Sequence, residues 1–318
     1  MGLIYEDLWA KLIAPLVNLL LGLGVGIFIA NVLEALHWTK FLSKLSQPLA
    51  NKAHLGPTSS AAFTLAFLSP SQANALLSEE YAKGALPLRE LLLTQVFMSL
   101  PSYLLHLPGI FCLTYPVLGV AAFIYLGLSF CAAVLRTLGT FFLARFLLPE
   151  PKEQVLAKET YTKLSCTQVL QTSWRRLRKR LPKLCLYTIP IYILIYTLQV
   201  TGVFANLNSW FSNLGILREF LAPQACSIIV LSLLAELGSA LGASAAILST
   251  QSLSSAEVIL ALLLGNILAT PMRALRHQLP AYAGYYNPGL GLKLIVLTQT
   301  LRALSLLLVT VLFAVSIR

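Results

Sequence analysis

Long apolar runs alternate along the chain with shorter runs broken by small and polar residues. A helix needs roughly 20 apolar residues to cross about 30 Å of hydrocarbon. Six runs are read as full spans: about 12–36, 88–107, 113–146, 183–204, 254–271 and 289–316. Between the first and second span of each trio stands something shorter: GPTSSAAFTLAFLSPSQANALL at 56–77 and APQACSIIVLSLLAELGSALGASAA at 222–246. The first breaks at Ser69-Pro70 and the second around Gly238. A helix from Pro57 to Leu68 would be only about 18 Å long, too short to cross a bilayer and too apolar for water. A re-entrant helical hairpin resolves the conflict, because bent backbone is tolerated at membrane depth where protein or a water-lined cavity surrounds it. Pro57 and Pro223 each stand where a helix would begin, the position at which a missing N–H costs nothing. Amphipathic stretches at 38–54 and 210–220 precede the hairpins and are expected to lie along the interface.

The two trios echo one another. Pro101, His106, Pro108, Pro116 and Gly119 find counterparts in Pro271, His277, Pro280, Pro288 and Gly291, at offsets of 170 to 172 residues. Three spans per copy is an odd number, so the second copy must enter the membrane from the opposite face. The fold class expected is all-α integral membrane, built of two inverted-topology repeats, each of three transmembrane helices plus a re-entrant or broken hairpin. Residues 1–148 form the first repeat, 149–182 a basic cytoplasmic linker and 183–318 the second repeat.

Composition strengthens the membrane reading. The 318 residues are 57% hydrophobic and 11% charged, with a mean hydropathy of +0.78, against about 25% charged in a soluble domain. The net charge of +11 does not indicate nucleic acid, since nine of the 23 Lys and Arg fall between Glu150 and Lys183. That clustering suits a membrane surface, with the run from Arg175 to Arg180 against anionic lipid headgroups. Cytoplasmic loops carry the excess of Lys and Arg. Placing the linker inside also puts Lys40, Lys44, Lys52, Lys83, Arg89, Arg273, Arg276 and Lys293 inside. The acidic N-terminus and the uncharged connection around His106 then fall outside. The expected location is the cytoplasmic (inner) membrane. The first apolar run lacks a cleavage-site pattern and is read as a retained span, with no soluble domain appended at either end. Five scattered cysteines without a C-x-x-C pair indicate neither a disulfide framework nor a thiolate metal site.

Inverted repeats with broken helices are the architecture of secondary transporters, in which substrate binds near the midplane with half-helix N-termini facing it. The hairpins are therefore the first candidates for a binding site. Thr58, Ser59 and Ser60 occupy the first turn of one half-helix, where free N–H groups and the positive dipole end favour an anion or hydroxyl. Gln224, Ser227 and Ser232 take the corresponding place in the other repeat, with Ser239 and Ser244 further along that hairpin. Close packing of helices is the alternative for these serines. Glu236 lies in an apolar hairpin with no base nearby in sequence. A carboxylate at such depth costs about 2.5–3.5 kcal/mol or more and marks ion or proton pathways by default. Gln95 and Asn266 hold matching places before the Ser-Leu-Pro and Ala-Thr-Pro motifs and could hydrogen-bond a polar substrate. Arg136 and Arg302, each in a Leu-Arg pair at mid-helix, are candidates for ion pairing, with Glu236 as a partner. His106 and His277 each stand near a Leu-Pro and are candidates for gating, with structural capping as the alternative. By the topology they lie at opposite faces, so they cannot form a metal site together. No H-E-x-x-H, G-x-S-x-G, P-loop or dinucleotide glycine fingerprint occurs, so neither an enzyme nor a cofactor is indicated.

The order of amphipathic helix, Gly56-Pro57 or Ala222-Pro223 opening a small-residue hairpin, a Gly84–Leu86 or Ser252–Ser254 approach, and a span ending in proline resembles the nucleoside recognition (Gate) domain family. The stretch LATPMRALRHQLPAYAGYYNPGLGLKL carries most of the likeness, which extends over nearly the whole chain. The resemblance implies a polytopic membrane protein akin to nucleoside permeases, the membrane part of ferrous iron transporters and spore maturation proteins. The chain lacks the G-domain motifs and paired intramembrane cysteines of the iron transporters. Together these readings point to an alternating-access membrane transporter of a small polar solute or ion, nucleoside-like among the candidates, with a homodimer as an admissible assembly. The rival is a membrane assembly or signalling partner that docks through the basic linker, and a lipid-handling protein is a third reading.

Overall fold

The computed structural model describes residues 9–36, 48–50, 52–150, 165–201, 222–234 and 237–317. Among them every regular element is helical. After a π-helical turn at Trp9–Ile13, α1 spans Ala14–Ala35. The first hairpin is α2 (Pro57–Ala66) and α3 (Pro70–Ala82). Then come α4 (Leu88–Phe97), α5 (Ser99–Leu118) and α6 (Ala121–Leu147). The second half opens with α7 (Cys166–Val200). A second hairpin follows, α8 (Pro223–Leu234) and α9 (Leu237–Ser249), and then α10 (Ser255–Leu268). A short turn Thr270–Arg273 and a π turn Ala274–Gln278 lead into α11 (Leu279–Tyr285), and α12 (Pro288–Ser316) ends the chain. The order of elements is thus the same in both halves.

The repetition reaches down to the helix caps. At the end of each hairpin the chain turns through the left-handed region, at Gly84 (φ 74°) and Gln251 (φ 53°). Both turns tie off the preceding helix in the same way. The amides of Gly84 and Ala85 donate to the carbonyls of Tyr81 and Glu80, and those of Gln251 and Ser252 to Leu248 and Ile247. This is the Schellman pattern that satisfies the last carbonyls of a helix. The next helix then carries a glutamate at its third position, Glu90 in α4 and Glu257 in α10, and here the halves diverge. Ser254 and Glu257 form a reciprocal capping box. Pro87, in the place of Ser254, has neither an N–H nor a side-chain acceptor to offer. Glu90 turns instead to the first hairpin and accepts from the Gly56 amide at 2.9 Å and Ser59 Oγ at 2.6 Å.

Four helical segments are long and apolar enough to cross a membrane: Ala14–Leu33, Leu88–Leu118, Ala121–Leu147 and Pro288–Ser316. Their outward faces are strongly apolar, with Phe146 84% and Val315 70% exposed. Leaving a side chain of that size in water forgoes about 1.5–3 kcal/mol, and a belt of them is the outer face of an integral membrane protein. The other two expected spans fall on shorter apolar stretches, Thr188–Leu198 within α7 and Ser255–Leu268. The basic run and the span that follows it form one continuous helix, with Arg175, Arg176, Arg178 and Lys179 exposed along α7.

Two expectations are corrected. The connection expected around His106 lies instead at Gly119-Val120, where Gly119 takes a positive φ of 56°. Pro108 and Pro116 are carried inside α5, as membrane helices allow when neighbours satisfy the freed carbonyls. Consequently Pro116 sits within a helix, whereas its proposed counterpart Pro288 opens α12, so the C-terminal part of the echo joins residues of unlike structural place. In the second hairpin the described helices stop at Leu234 and resume at Leu237, beside the break expected around Gly238. Residues 235 and 236, with Glu236 among them, lie outside the described residues, as do 37–47, 151–164 and 202–221.

Packing is close where glycines face a neighbour. A Cβ on Gly22 would stand 2.7 Å from Pro116 Cβ, and one on Gly26 would strike the Cys112 carbonyl. These two contacts seat α1 on α5. One hydrophobic cluster joins α1, α5, α6 and α12 to the second hairpin and α10. A second cluster joins α2, α3 and α4 to Tyr286, Leu290 and Leu294. Each hairpin is therefore held by helices of both halves.

Candidate functional site

The helices leave a cavity of about 400 Å³ between the two halves. α3, α4, α5 and α6 wall it on one side, and α8, α10, α12 and the 270–282 segment on the other. A second cleft of about 660 Å³ is lined mainly by apolar residues of α1, α5 and α9, and opens beside the exposed Val25 and Ile29. That cleft has the chemistry of a lipid-facing groove, so the chemistry of interest is in the first.

In one cluster of lining side chains Gln95 is the hub. Its amide nitrogen donates to Asn74 Oδ1 at 2.6 Å and to the Tyr286 hydroxyl at 2.8 Å, while its Oε1 accepts from Tyr282 Oη at 3.1 Å. Tyr286 Oη in turn reaches the Asn74 carbonyl at 3.4 Å. Asn74 and Gln95 come from the first hairpin and the helix after it, and both tyrosines come from the second half. Asn74, Gln95 and Tyr286 need partners because they are buried, and an unpaired buried polar group costs about 1–3 kcal/mol.

In a second cluster Asn266 plays the same part. Its carbonyl lies in the last turn of α10, where helix carbonyls lack a continuing partner, and side chains meet it. The Asn266 carbonyl accepts from Thr270 Oγ1 at 2.9 Å and from Arg273 Nη2 at 2.7 Å. Asn266 Oδ1 accepts from Arg273 as well, and from Arg302 Nη2 at 3.3 Å. Its amide nitrogen donates to the Tyr125 hydroxyl of the first half at 3.4 Å. Arg136 Nη1, from α6, donates to Ser305 Oγ of α12 at 2.9 Å. The Nε groups of Arg136 and Arg273 and the hydroxyl of Ser129 are buried without a protein partner. Among the described residues that line the cavity there is no aspartate or glutamate.

Of the residues singled out from sequence, Gln95, Asn266, His106, Arg136, Arg302 and Ser232 line this cavity. Thr58, Ser59, Ser60, Gln224, Ser227, Ser239 and Ser244 stand apart from it. Ser60 Oγ donates to the Leu55 carbonyl, Ser227 Oγ to that of Gln224 and Ser244 Oγ to that of Ala240, which are local backbone contacts. The Ser232 hydroxyl likewise bonds Ile228, and α10 comes so near at Gly265 that a Cβ there would meet it. Glu236 lies outside the described residues, and so does the ion pair expected between it and Arg136 or Arg302. The backbone of His277 lies in the π turn at 274–278, a distortion that recurs at functional sites.

Sequence reading missed Asn74, Tyr125, Tyr282 and Tyr286, and it counted Arg273 as a topological charge at the membrane surface. The structure places Arg273 in the cavity wall. The signal was present, since Arg273 follows Asn266 by two helical turns and so shares its face. The tyrosines gave no such signal, because their partners are more than a hundred residues away in sequence.

No family model matches the chain, and no solved structure matches it. Over most of its length it is similar to uncharacterized proteins of Methanocaldococcus jannaschii. One is 24% identical over 288 residues, covering 87% of this chain and 86% of the relative. Another is 23% identical over 92% of this chain and 91% of its own length. A third is 22% identical over 94% and 97%. In each case the likeness spans both halves.

Proposed function

We propose that the protein is a secondary transporter that moves a small polar solute by alternating access, with the cavity of about 400 Å³ as its binding chamber. The observation that carries this reading is the contrast between inside and outside: hydrogen-bonding side chains of both halves converge on one cavity, in a body whose outer face is apolar. The volume falls in the range of roughly 300–1,000 Å³ typical of small-molecule sites. In this reading the halves are inverted repeats, and rocking one against the other would open the chamber to alternate faces. The two hubs, Gln95 and Asn266, bond across the boundary that must move. Glu236, by its place in an apolar hairpin, would couple the cycle to a proton or cation, and the Gate-family resemblance adds nucleosides to the candidate solutes.

The test is uptake into proteoliposomes of a panel of nucleosides, nucleobases and organic acids under an imposed proton or sodium gradient. At least one solute should accumulate, and Glu236→Gln should abolish accumulation while leaving the thermal midpoint and solute exchange intact. Uptake no greater than in protein-free vesicles for the whole panel would sink the proposal. The exposed arginines of α7 favour a second reading, docking on anionic headgroups or on an acidic partner. It predicts that neutralising Arg175, Arg176, Arg178 and Lys179 together removes function, while substitutions in the cavity do little.

A further inference from the structure

Three guanidinium groups share the cavity: Arg136 from α6, Arg273 from the turn after α10 and Arg302 from α12. Arg302 lies within electrostatic reach of both others. An arginine has five N–H donors and is always charged. Those used on described protein groups go only to neutral acceptors: one to Ser305 on Arg136, two to Asn266 on Arg273, and one to Asn266 on Arg302. An amide or a hydroxyl takes a hydrogen bond but cancels no charge. No carboxylate among the described lining residues does so either. Clustered like charge at membrane depth is costly, and intramembrane arginines ordinarily pair with acids or backbone carbonyls. Here the Asn266 carbonyl and amide fix the guanidinium groups of Arg273 and Arg302, while most of their donors meet no group among the described residues. That is the arrangement of preoriented forks awaiting an oxyanion, the partner whose geometry a guanidinium matches two bonds at a time.

We infer that the cavity is an oxyanion site, in which Arg136, Arg273 and Arg302 hold a small soluble solute carrying two or more negative charges as carboxylate or phosphate. The inference rests on reading the cavity as the chamber of a transporter, and it narrows the solute from polar to anionic. It also gives Gln95 and Asn266 distinct parts. Asn266 orients two of the arginines, and Gln95 joins the two halves of the chamber wall through Tyr282 and Tyr286. A headgroup of an anionic lipid carries the same phosphate chemistry, and the experiment separates the two sources.

Purified full-length protein in neutral detergent is followed by thermal unfolding at fixed ionic strength with citrate, inorganic phosphate, short-chain phosphatidylglycerol, uncharged adenosine or cationic spermidine. A ligand that binds only the folded state raises the midpoint. Citrate or phosphate should raise it by several degrees, and adenosine and spermidine should not. Arg302→Gln and Arg136→Gln should weaken the apparent affinity roughly 10- to 100-fold, as expected for losing a charge-assisted hydrogen bond. Because those variants remove buried groups and can fail to fold, Ser129→Asp is the second arm. Ser129 lines the cavity on α6, two turns before Arg136, and the new carboxylate supplies the missing charge internally. That variant should melt at a higher temperature than the parent and lose the citrate and phosphate response. Equal shifts for adenosine and citrate, or a Ser129→Asp protein that keeps the full anion shift, would overturn the inference. A response to phosphatidylglycerol alone overturns a soluble solute and, with it, the transport reading, but leaves the oxyanion site. Conversely, gradient-driven uptake of a neutral solute with no anion shift overturns the oxyanion site and leaves the transporter.

Discussion

Gln95 uses both ends of its amide across the boundary between the halves, donating to Asn74 and Tyr286 and accepting from Tyr282. Gln95→Leu removes every one of these bonds and strands the Asn74 and tyrosine groups in a buried site. We expect it to lower unfolding free energy by about 1–3 kcal/mol, read by thermal or denaturant unfolding in detergent. Tyr286→Phe takes away one hydroxyl and should cost less, about 0.5–1.5 kcal/mol. A neutral Gln95→Leu would show that the cross-boundary network is not formed. At this scale the sequence was informative where an amide or a base interrupts an apolar run, which is why Gln95, Asn266, Arg136 and Arg302 stood out. It was silent on Tyr125, Tyr282 and Tyr286. A tyrosine fits both lipid interface and core, and only its partner decides what its hydroxyl does.

At the scale of elements, the hairpins were legible because their length conflicts with their hydropathy. The break at Ser69-Pro70 is borne out by a helix ending at Ala66 and another starting at Pro70, with the Ser69 hydroxyl accepting from the Gln72 amide. How the hairpins are tied down was not legible, since Glu90 and Glu257 hold the same place in sequence and serve different ends. Glu90 fastens the start of α2 through Gly56 and Ser59, whereas Glu257 only caps its own helix. Glu90→Ala should therefore speed amide hydrogen exchange at residues 56–60 and destabilise by about 1–3 kcal/mol. Glu257→Ala should leave those residues unchanged and cost about 1 kcal/mol through its cap. Unaltered exchange at 56–60 in Glu90→Ala would remove the tie. The length of α5 was misread for a physical reason. Proline is a strong stop signal in water, but within packed membrane helices Pro108 and Pro116 are carried through to Gly119.

For the whole molecule, the proposed inverted arrangement rests on span parity and on where the bases lie. It predicts that a protease site inserted in 149–165 is cut in inside-out vesicles and protected in right-side-out ones, and cutting from both sides would defeat it. The sequence by itself determined that the chain is helical, that its outer faces are apolar and that its elements come twice in the same order. Hydropathy and period are local properties that any short window of chain displays. Only the tertiary structure decided which polar residues meet. It gathered Arg136, Arg273 and Arg302 from distant helices around one cavity, brought Gln95 and Asn266 into its wall, and left Ser60, Ser227 and Ser244 to local backbone contacts. Such meetings depend on how helices cross and how closely Gly22, Gly26 and Gly265 let them approach, geometry that no single stretch of sequence contains.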